Sequence, residues 1–384
     1  MKSAALTILK IGIAVVLIWY VFAYLIEYDD KVVVVPAGQK EPSAEYVGRL
    51  EGDWHADHWV FTAEGGERVF RPPLPPDHQL RPGFFTLLAG MRIPPFLLGL
   101  VLWGVLLAFV TLRWMILLRA VGVPTSYRNA LRLCFVGYFF NIIMPGLTSG
   151  DLVRAALVTR GLEGNRARAF MSVLVDRVIG LFSLLVLAGL VLFFGGVHIE
   201  GAPPWLGVVR RYVLLILALA IVLPALYLSR RARRLLGIEW LLRKLPFQQK
   251  VAVLDDALTV YRERPGAVGA ALGLSVVLQA CGVLSFWLMA QALGADLTLP
   301  QVYVAFPVVQ TVSSLPLAPS GFGVGETMFA LFFRGFGSTA TLGVATSIVF
   351  RLVTQVGVGL LGGVVWMLSR EHKEHVDWKR EART

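Results

Sequence analysis

Six long apolar runs constrain the fold more than any other feature of this sequence. Runs of about this length allow a helix to cross the hydrocarbon core of a bilayer. In addition, 56% of the residues are hydrophobic, only 16% are charged and the mean hydropathy is +0.68. These values exclude an ordinary soluble domain and predict an all-α polytopic membrane protein with six spanning helices. The runs cover residues 11–26, 95–112, 169–194, 212–228, 267–294 and 339–368.

The charged residues between these runs predict the orientation of the chain. Segment 27–95 contains eleven acidic and seven basic residues, whereas segment 229–266 contains nine basic and four acidic residues. Because basic loops remain in the cytoplasm, we expect 27–95 to be extracytoplasmic and 229–266 to be a basic cytoplasmic loop or interfacial helix. Residues 1–26 are predicted to be an uncleaved first transmembrane helix, and 369–384 a cytoplasmic tail. Both termini then lie in the cytoplasm, and we expect the protein in the cytoplasmic (inner) membrane of a bacterium.

The extracytoplasmic segment is predicted to form a small antiparallel β meander. Its short β-like runs YVGRL, HWVFT and ERVF are separated by turn-prone residues, and the proline-rich run RPPLPPDHQLRPG is expected to be an extended tether. His55, Asp57 and His58 are possible metal ligands, but no clear fourth ligand lies nearby, so exposed turn residues are the favoured interpretation. We expect neither a metal nor a cofactor.

Two further apolar stretches are interrupted by proline and glycine. The first, CFVGYFFNIIMPGLTSGDLVR, runs from Cys134 to Arg154, and the second, PVVQTVSSLPLAPSGFGVGETMFALFF, covers 307–333. Proline removes a backbone donor and glycine loosens a helix, so some amide groups here lose their helical partners. In a bilayer such groups survive only where protein or a water-filled cavity covers them. The ionisable groups beside the breaks therefore mark a candidate polar site within the membrane.

The two broken stretches resemble each other and are predicted to insert from opposite faces. Basic residues flank both ends of 133–150, which predicts a re-entrant helical hairpin that enters from the cytoplasm and returns. Each break is followed by an acid, Asp151 or Glu326, and by an outlying base, Arg154 or Arg351. Opposed topology with matching breaks predicts an inverted repeat, whose centre is a usual position for a transport site. The alternative is a pair of kinked packing helices without such a function.

The third span contains an adjacent acid and base, Asp176 and Arg177. Neighbouring residues on a helix point about 100° apart, so each is predicted to pair with a residue on another helix. By contrast, Arg113 and Arg119 follow the second span and are interpreted as marks of its cytoplasmic end.

Intramembrane proteolysis is a weaker interpretation of the same residues. An aspartyl protease needs two facing carboxylates, and here the second acid is Glu326 in a motif of the wrong order. A nucleophile at Ser320 would lack a base, because no later span contains a histidine. No soluble region carries a phosphate-binding glycine loop. We therefore expect no enzymatic activity.

Several runs resemble the lysylphosphatidylglycerol synthase transmembrane, or flippase-like, family. They are RWMILLRAVG, FFNIIMPGLTSGDLVRAALVTRG, DRVIGLFSLLVLAGL and PSGFGVGE, together with Arg351 in the last span. The resemblance implies a lipid-handling membrane domain at 96–368, without the cytoplasmic domain that makes aminoacyl-lipids. Ser149 stands where the family commonly has glycine, and the 27–95 insertion is longer than the family's usual first loop.

Position by position, the resemblance implies a site that binds a lipid headgroup. The implied partner is an anionic phospholipid or a polyprenyl-phosphate lipid, with a lipid-modifying enzyme as a further partner and no nucleic acid. The implied function is lipid transport between leaflets, with arginines as counter-charges to the headgroup. An ion-coupled transporter of small solutes and a non-transporting scaffold for a lipid-modifying or glycosyl-transferring enzyme are the alternatives. The implied site residues are Asn141, Pro145, Gly146, Gly150, Asp151, Arg154, Asp176, Arg177, Pro319, Gly321, Gly323, Glu326 and Arg351.

Overall fold

In the residues that it describes, a computed structural model of the protein contains helices and one antiparallel sheet. The chain divides into two units, and the division falls within three of the long helices. The first unit contains Met1–Val101, Ile199–Pro203 and Leu284–Arg351, and the second contains Leu102–His198, Pro204–Val283 and Leu352–Thr384. The structure describes residues 12–36, 42–56, 58–66, 68–143, 149–159, 166–194, 203–228, 260–261, 263–314 and 321–369.

Four of the described helices are long and apolar enough to cross a membrane. They are α3 (Ile93–Ala120), α6 (Arg166–Phe194), α8 (Pro265–Ala292) and α11 (Ala340–Met367). The multi-pass helical membrane class predicted from hydropathy is confirmed, whereas the number of spans and their orientation stay predictions. The shorter helices are α1 (Gly12–Leu25), α2 (Phe84–Ala89), α4 (Tyr127–Ile143), α5 (Ser149–Val158), α7 (Leu206–Leu228), α9 (Leu299–Ser313) and α10 (Val324–Gly335).

Two of these helices contain wider, π-helical turns. In α1 the π segment is Val21–Leu25, at the end of the helix. In α11 it is Leu352–Gly357, which separates the α-helical segments Ala340–Arg351 and Val358–Met367. A π segment inside an α-helix is uncommon and often lies at a functional position. The one in α11 begins immediately after Arg351, a predicted site residue.

The sheet of the first unit has five antiparallel strands in the order β4-β3-β2-β1-β5. Strands β2 and β3 contain the predicted runs YVGRL and HWVFT, and β4 covers the last two residues of the run ERVF, so the small β unit is confirmed. Strands β1 and β5 are not predicted, and β5 lies in the proline-rich run expected to be a tether. Its prolines flank the strand, which leaves its own residues free to pair with β1. The strands are β1 (Asp30–Val34), β2 (Ala44–Asp53), β3 (His58–Ala63), β4 (Val69–Phe70) and β5 (His78–Arg81).

The turn between β2 and β3 packs the sheet against helix ends of its own unit. A Cβ atom on Gly294 or Gly90 would lie 2.3 or 2.4 Å from the Trp54 indole. His55 Nε2 is 2.9 Å from the Gly90 carbonyl oxygen, and Arg92 donates to the His55 carbonyl oxygen at 3.3 Å. Partial burial lowers the pKa of His55, and the positive charge of Arg92 lowers it further. His55 therefore belongs to a packed interface and is half-buried, unlike the exposed turn residue favoured from the sequence.

Four phenylalanine rings join the helices of the first unit. Phe286 of α8 stacks on Phe329 of α10 with ring centroids 4.4 Å apart. Phe306 of α9 and Phe350 of α11 each lie 5.2 Å from Phe286. All four are buried. They hold the α9–α10 pair, which forms the second broken stretch, against α8 and α11.

In the second unit, α4 packs closely against the last segment of α11. A Cβ atom on Gly362 would lie 2.0 Å from the Phe135 carbonyl oxygen, and one on Gly359 would lie 2.1 Å from the Ile142 side chain. Glycines allow two helix backbones to approach in this way, as they do at interfaces between membrane helices. The packing supports the first broken stretch from one side.

Candidate functional site

The first broken stretch contains an antiparallel pair of helices, α4 and α5. Asn141, near the end of α4, accepts a hydrogen bond from the Gly150 backbone N–H at 2.9 Å through Oδ1. The first N–H groups of a helix have no partner inside it, and Asn141 satisfies one of them. A Cβ atom on Gly150 would lie 1.8 Å from the Gly137 carbonyl oxygen. The approach of α5 to α4 therefore requires glycine at position 150.

Five charged side chains from α3, α5 and α6 form one network in the second unit, which we call the charge cluster. Arg113 Nε donates to Asp176 Oδ1 at 2.8 Å, and Arg154 Nη2 donates to Asp176 Oδ2 at 3.4 Å. Arg154 Nε lies 3.1 Å from Asp151 Oδ1. Arg177 donates to the other oxygen of Asp151. As predicted, Asp176 and Arg177 each pair with residues on other helices.

The charge cluster is mostly buried and carries an excess of positive charge. Arg113, Asp151, Arg154 and Asp176 are 3% to 7% exposed, whereas the Arg177 side chain is 47% exposed. Three arginines face two aspartates, so the acids of the cluster leave one positive charge uncompensated. The four buried members balance in charge, so the surplus positive charge lies on the exposed side chain of Arg177, where an anion can act as a further partner. Arg177 is the arginine of the cluster that such an anion can reach.

Arg154 also contacts an aromatic ring and a thiol. Its guanidinium carbon lies 4.5 Å from the centre of the Trp114 ring, a distance typical of a cation–π contact. Its Nη1 atom lies 3.7 Å from the Cys134 sulfur. These contacts fix the guanidinium between α3, α4 and α5. Arg154 is consequently a buried structural member of the cluster.

Arg113 is a member of the cluster that the sequence pattern does not identify. Its Nη1 donates to Ser275 Oγ of α8 at 2.8 Å, in addition to its bond with Asp176. The expectation that Arg113 marks a helix end is not met, because α3 continues to Ala120. A basic residue between apolar neighbours, TLRWMILL, was the available signal. It is ambiguous because arginines at span ends normally anchor the helix at the interface.

The second broken stretch contains α9 and α10 in the first unit. Glu326 Oε2 accepts a hydrogen bond from the Gly323 backbone N–H at 2.8 Å, and Oε1 accepts one from Arg351 Nε at 2.8 Å. Arg351 Nη2 also donates to the Gly321 carbonyl oxygen at 3.3 Å. Gly321 and Gly323 have φ angles of +68° and +81°, which residues other than glycine rarely adopt. The turn thus depends on both glycines to present the Gly323 N–H to Glu326.

The Glu326–Arg351 pair is enclosed by small and aromatic neighbours. The side chains of Glu326 and Arg351 are 7% and 11% exposed. The guanidinium carbon of Arg351 lies 4.4 Å from the centre of the Phe322 ring, and a Cβ atom on Gly325 would lie 3.1 Å from Arg351 Nη2. Glycine at 325 leaves the space that the guanidinium occupies. The ion pair between Glu326 and Arg351 is therefore an enclosed part of the structure of this turn.

The two broken stretches share a local arrangement of acid and arginine. Asp151 is the third residue of α5, and Glu326 is the third residue of α10. Each binds an arginine on the next helix through Nε, Arg177 at 26 positions and Arg351 at 25 positions further along the chain. The sequence pattern matches Arg351 with Arg154. In the structure the counterpart of Arg351 is Arg177.

The predicted site residues thus fall into two groups, one in each unit. Pro145, Gly146 and Pro319 lie outside the described residues. Asp57, one of the residues considered as a metal ligand, also lies outside them, and the described residues contain no group of three or more His, Cys, Asp or Glu that could hold a metal ion. The second unit brings together Asn141, Gly150, Asp151, Arg154, Asp176 and Arg177, and the first unit brings together Gly321, Gly323, Glu326 and Arg351.

Comparison with known proteins extends these observations. A UPF0104 membrane protein of Pyrococcus horikoshii is 20% identical over 291 residues, which cover 72% of this chain and 87% of the relative. UPF0104 membrane proteins of Methanothermobacter thermautotrophicus and Methanocaldococcus jannaschii are 23% and 22% identical over 297 and 304 residues. Those alignments cover 71% and 74% of this chain, and 82% and 86% of the relatives.

The family model described as the lysylphosphatidylglycerol synthase TM region matches residues 83–362. The match includes both broken stretches and begins after α1 and the sheet. Because it covers most of the chain, this protein belongs to the lysylphosphatidylglycerol synthase transmembrane family, as its sequence motifs indicate.

Proposed function

We propose that this protein is a lipid transporter that moves the headgroup of an anionic phospholipid or a polyprenyl-phosphate lipid between the leaflets. Family membership supports a lipid-related role in the membrane. The observation that carries the proposal is the surplus positive charge of the charge cluster, which lies on the exposed side chain of Arg177. A headgroup phosphate supplies the missing negative charge and binds arginine through charge-assisted hydrogen bonds. The acyl chains remain in lipid, so only the polar head needs a path through the protein.

In this proposal Arg177 contacts the headgroup. Its side chain is 47% exposed, whereas Arg113 and Arg154 are buried and both bind Asp176. Asp151 accepts from Arg177 through one oxygen and faces Arg154 with the other. A phosphate that approaches Arg177 therefore competes with Asp151 for the same guanidinium. The N-terminus of α5 adds a favourable dipole for an anion at this position.

The Glu326–Arg351 pair is the second polar element that the proposal assigns to headgroup binding. Arg351 provides a further counter-charge for a headgroup, and Glu326 holds that arginine or takes up a proton. The carboxylate of Glu326 binds both the Gly323 N–H and Arg351, so any change in its charge alters the turn and the arginine together. This linkage supports a role for the pair in movement of the headgroup.

We further infer that the two hairpins are re-entrant and form an inverted repeat within six spans, with both termini in the cytoplasm of the inner-membrane protein. The shared local plan of Asp151 and Glu326 supports a repeat. Single cysteines test the orientation in a Cys134→Ala/Cys281→Ala background. An impermeant thiol reagent should label Gly65→Cys from outside and leave Gly164→Cys unlabelled. Labelling of Gly164→Cys from outside would show that 133–150 crosses the membrane.

The transport proposal is tested with the purified protein in lipid vesicles. Arg177→Gln is expected to slow translocation of a fluorescent anionic phospholipid by about tenfold, the loss expected for one hydrogen bond to a charged group. Arg211→Gln removes an exposed arginine of α7 and serves as the matched control. A wild-type protein that moves no lipid in vesicles contradicts transport and favours the scaffold. Mass spectrometry of lipids that copurify with wild type, but less with Arg177→Gln, identifies the headgroup.

A further inference from the structure

We propose that the N-terminal helix α1 is a positioning element for the Glu326–Arg351 pair, and that Leu17 is the residue through which it acts on the hairpin turn. The inference rests on the proposed function, because it concerns the second of the two polar sites. The family match begins at residue 83, so α1 lies outside the matched domain. It nevertheless contacts the residues that form this site.

The first contact is made at Gly323. A Cβ atom on Gly323 would lie 2.4 Å from Leu17 Cβ and 3.2 Å from the Ile18 backbone nitrogen. Leu17 therefore rests directly on the glycine backbone, where no side chain could be accommodated. The N–H of this same glycine donates to Glu326 at 2.8 Å. The packing of α1 against the turn therefore affects the position of the Gly323 N–H, which is the hydrogen-bond donor to the Glu326 carboxylate.

The second contact fixes the end of α1 to the helix that carries the arginine. The Glu27 backbone N–H donates to Thr341 Oγ1 at 2.9 Å, and Thr341 Oγ1 lies 3.5 Å from the Leu25 carbonyl oxygen. The π-helical turn of α1 contacts both α10 and α11. Because Glu326 lies on α10 and Arg351 lies on α11, α1 contacts both helices that form the ion pair.

One face of α1 makes these contacts. Ala14, Val21 and Leu25 are 7%, 1% and 6% exposed, and Leu17 lies on the same face at helical spacing. Val16, on another face, is 61% exposed. The helix therefore has a defined side toward the hairpin, and a substitution on each side can separate positioning from general effects of altering an apolar helix.

Hydrogen exchange in the full-length protein tests whether α1 positions the turn. Leu17→Gly removes the Cβ atom that lies against Gly323, so amides of 321–327 are expected to exchange about tenfold faster. Leu17→Ala keeps that Cβ atom and should keep the wild-type exchange rate. Val16→Gly, the matched control for the loosening of a helix by glycine, should leave the exchange rate unchanged. Translocation of anionic lipid in vesicles should fall in Leu17→Gly and stay unchanged in Leu17→Ala.

Two outcomes would overturn the proposal. Unchanged exchange of 321–327 in Leu17→Gly would show that α1 does not hold the turn, and faster exchange with unchanged translocation would show that its hold does not matter to the site. Should Leu17→Gly fail to fold, Thr341→Val removes the hydrogen bond that fixes the end of α1, and faster exchange of 321–327 is again expected. If the wild-type protein moves no lipid, the proposed function fails, while the exchange comparison still decides whether α1 positions the turn.

Discussion

Arg177 donates a hydrogen bond from the helix α6 to the carboxylate of Asp151, a residue 26 positions earlier in the chain. Arg351 binds Glu326 in the same way across 25 positions. Both acids lie in the first turn of a short helix, where the helix dipole favours negative charge. Each acid therefore connects the start of a hairpin's second helix to the helix that follows. The acid is the element on which each local arrangement depends.

Asp151→Asn and Glu326→Gln are each expected to reduce lipid translocation at least about tenfold. The amide keeps the shape of the side chain but no longer compensates the charge of the bound arginine, which then loses its fixed position. The measurement is translocation in vesicles together with the melting temperature. Asp296→Asn, at an exposed loop position, is the matched control. Normal translocation by both variants would show that Asp151 and Glu326 contribute only to packing and not to lipid translocation.

Arg113→Met is expected to destabilise the protein by about 3 kcal/mol. Removing one partner of a buried ion pair leaves the other charge poorly compensated, and Asp176 would retain only the 3.4 Å bond from Arg154. Unfolding of the detergent-solubilised protein measures the change, with Arg211→Met as an exposed control. Equal stability of the two variants would show that Arg113 is not part of a coupled network.

Gly150→Ala is expected to destabilise the protein by about 1–3 kcal/mol or more and to separate α5 from α4. The added methyl group would overlap the Gly137 carbonyl oxygen, and no side-chain rotation can relieve a clash with backbone. Gly104→Ala in α3 is the control, because nothing lies within 4 Å of its Cβ position. That substitution should be neutral or stabilise the helix by up to about 1 kcal/mol. The melting temperatures of both variants provide the comparison.

The stability of the sheet's packing is expected to decrease below about pH 6.5, the usual pKa of histidine. Burial lowers the pKa of His55 in the folded protein, so the unfolded state binds more protons at mildly acidic pH. The free energy of unfolding therefore falls as the pH decreases from 6.5 through the lower, folded value. Melting temperatures at pH 7.5 and 5.5 should differ more in wild type than in His55→Gln. Equal differences would show that protonation of His55 does not oppose packing against Gly90.

Much of the architecture follows from local sequence properties. The apolar runs determine the membrane class. The free energy of transferring a run into hydrocarbon is the sum of its residues' transfer free energies, so it can be read from the sequence without knowledge of tertiary contacts. Alternating β-like residues identify β2, β3 and β4, since strand pattern and turns are also local. The spacing of proline, glycine and acid identifies both broken stretches in the sequence, and it marks Asp151 and Glu326 beside them as candidate site residues. The motifs around them identify the family.

Only the tertiary structure decided which charges meet. Arg113 and Asp176 are 63 positions apart, and no local sequence pattern indicates that Arg113 of α3 contacts Asp176 of α6. The contact of Leu17 with Gly323 likewise joins the start of the chain to its last third. Strand β5 forms because it pairs with the free edge of β1, although the proline-rich sequence of β5 and its flanks predicts an extended tether. Pairing of this kind depends on helix and strand packing, which combines distant segments, so the sequence determined the chemical groups and the fold determined their partners.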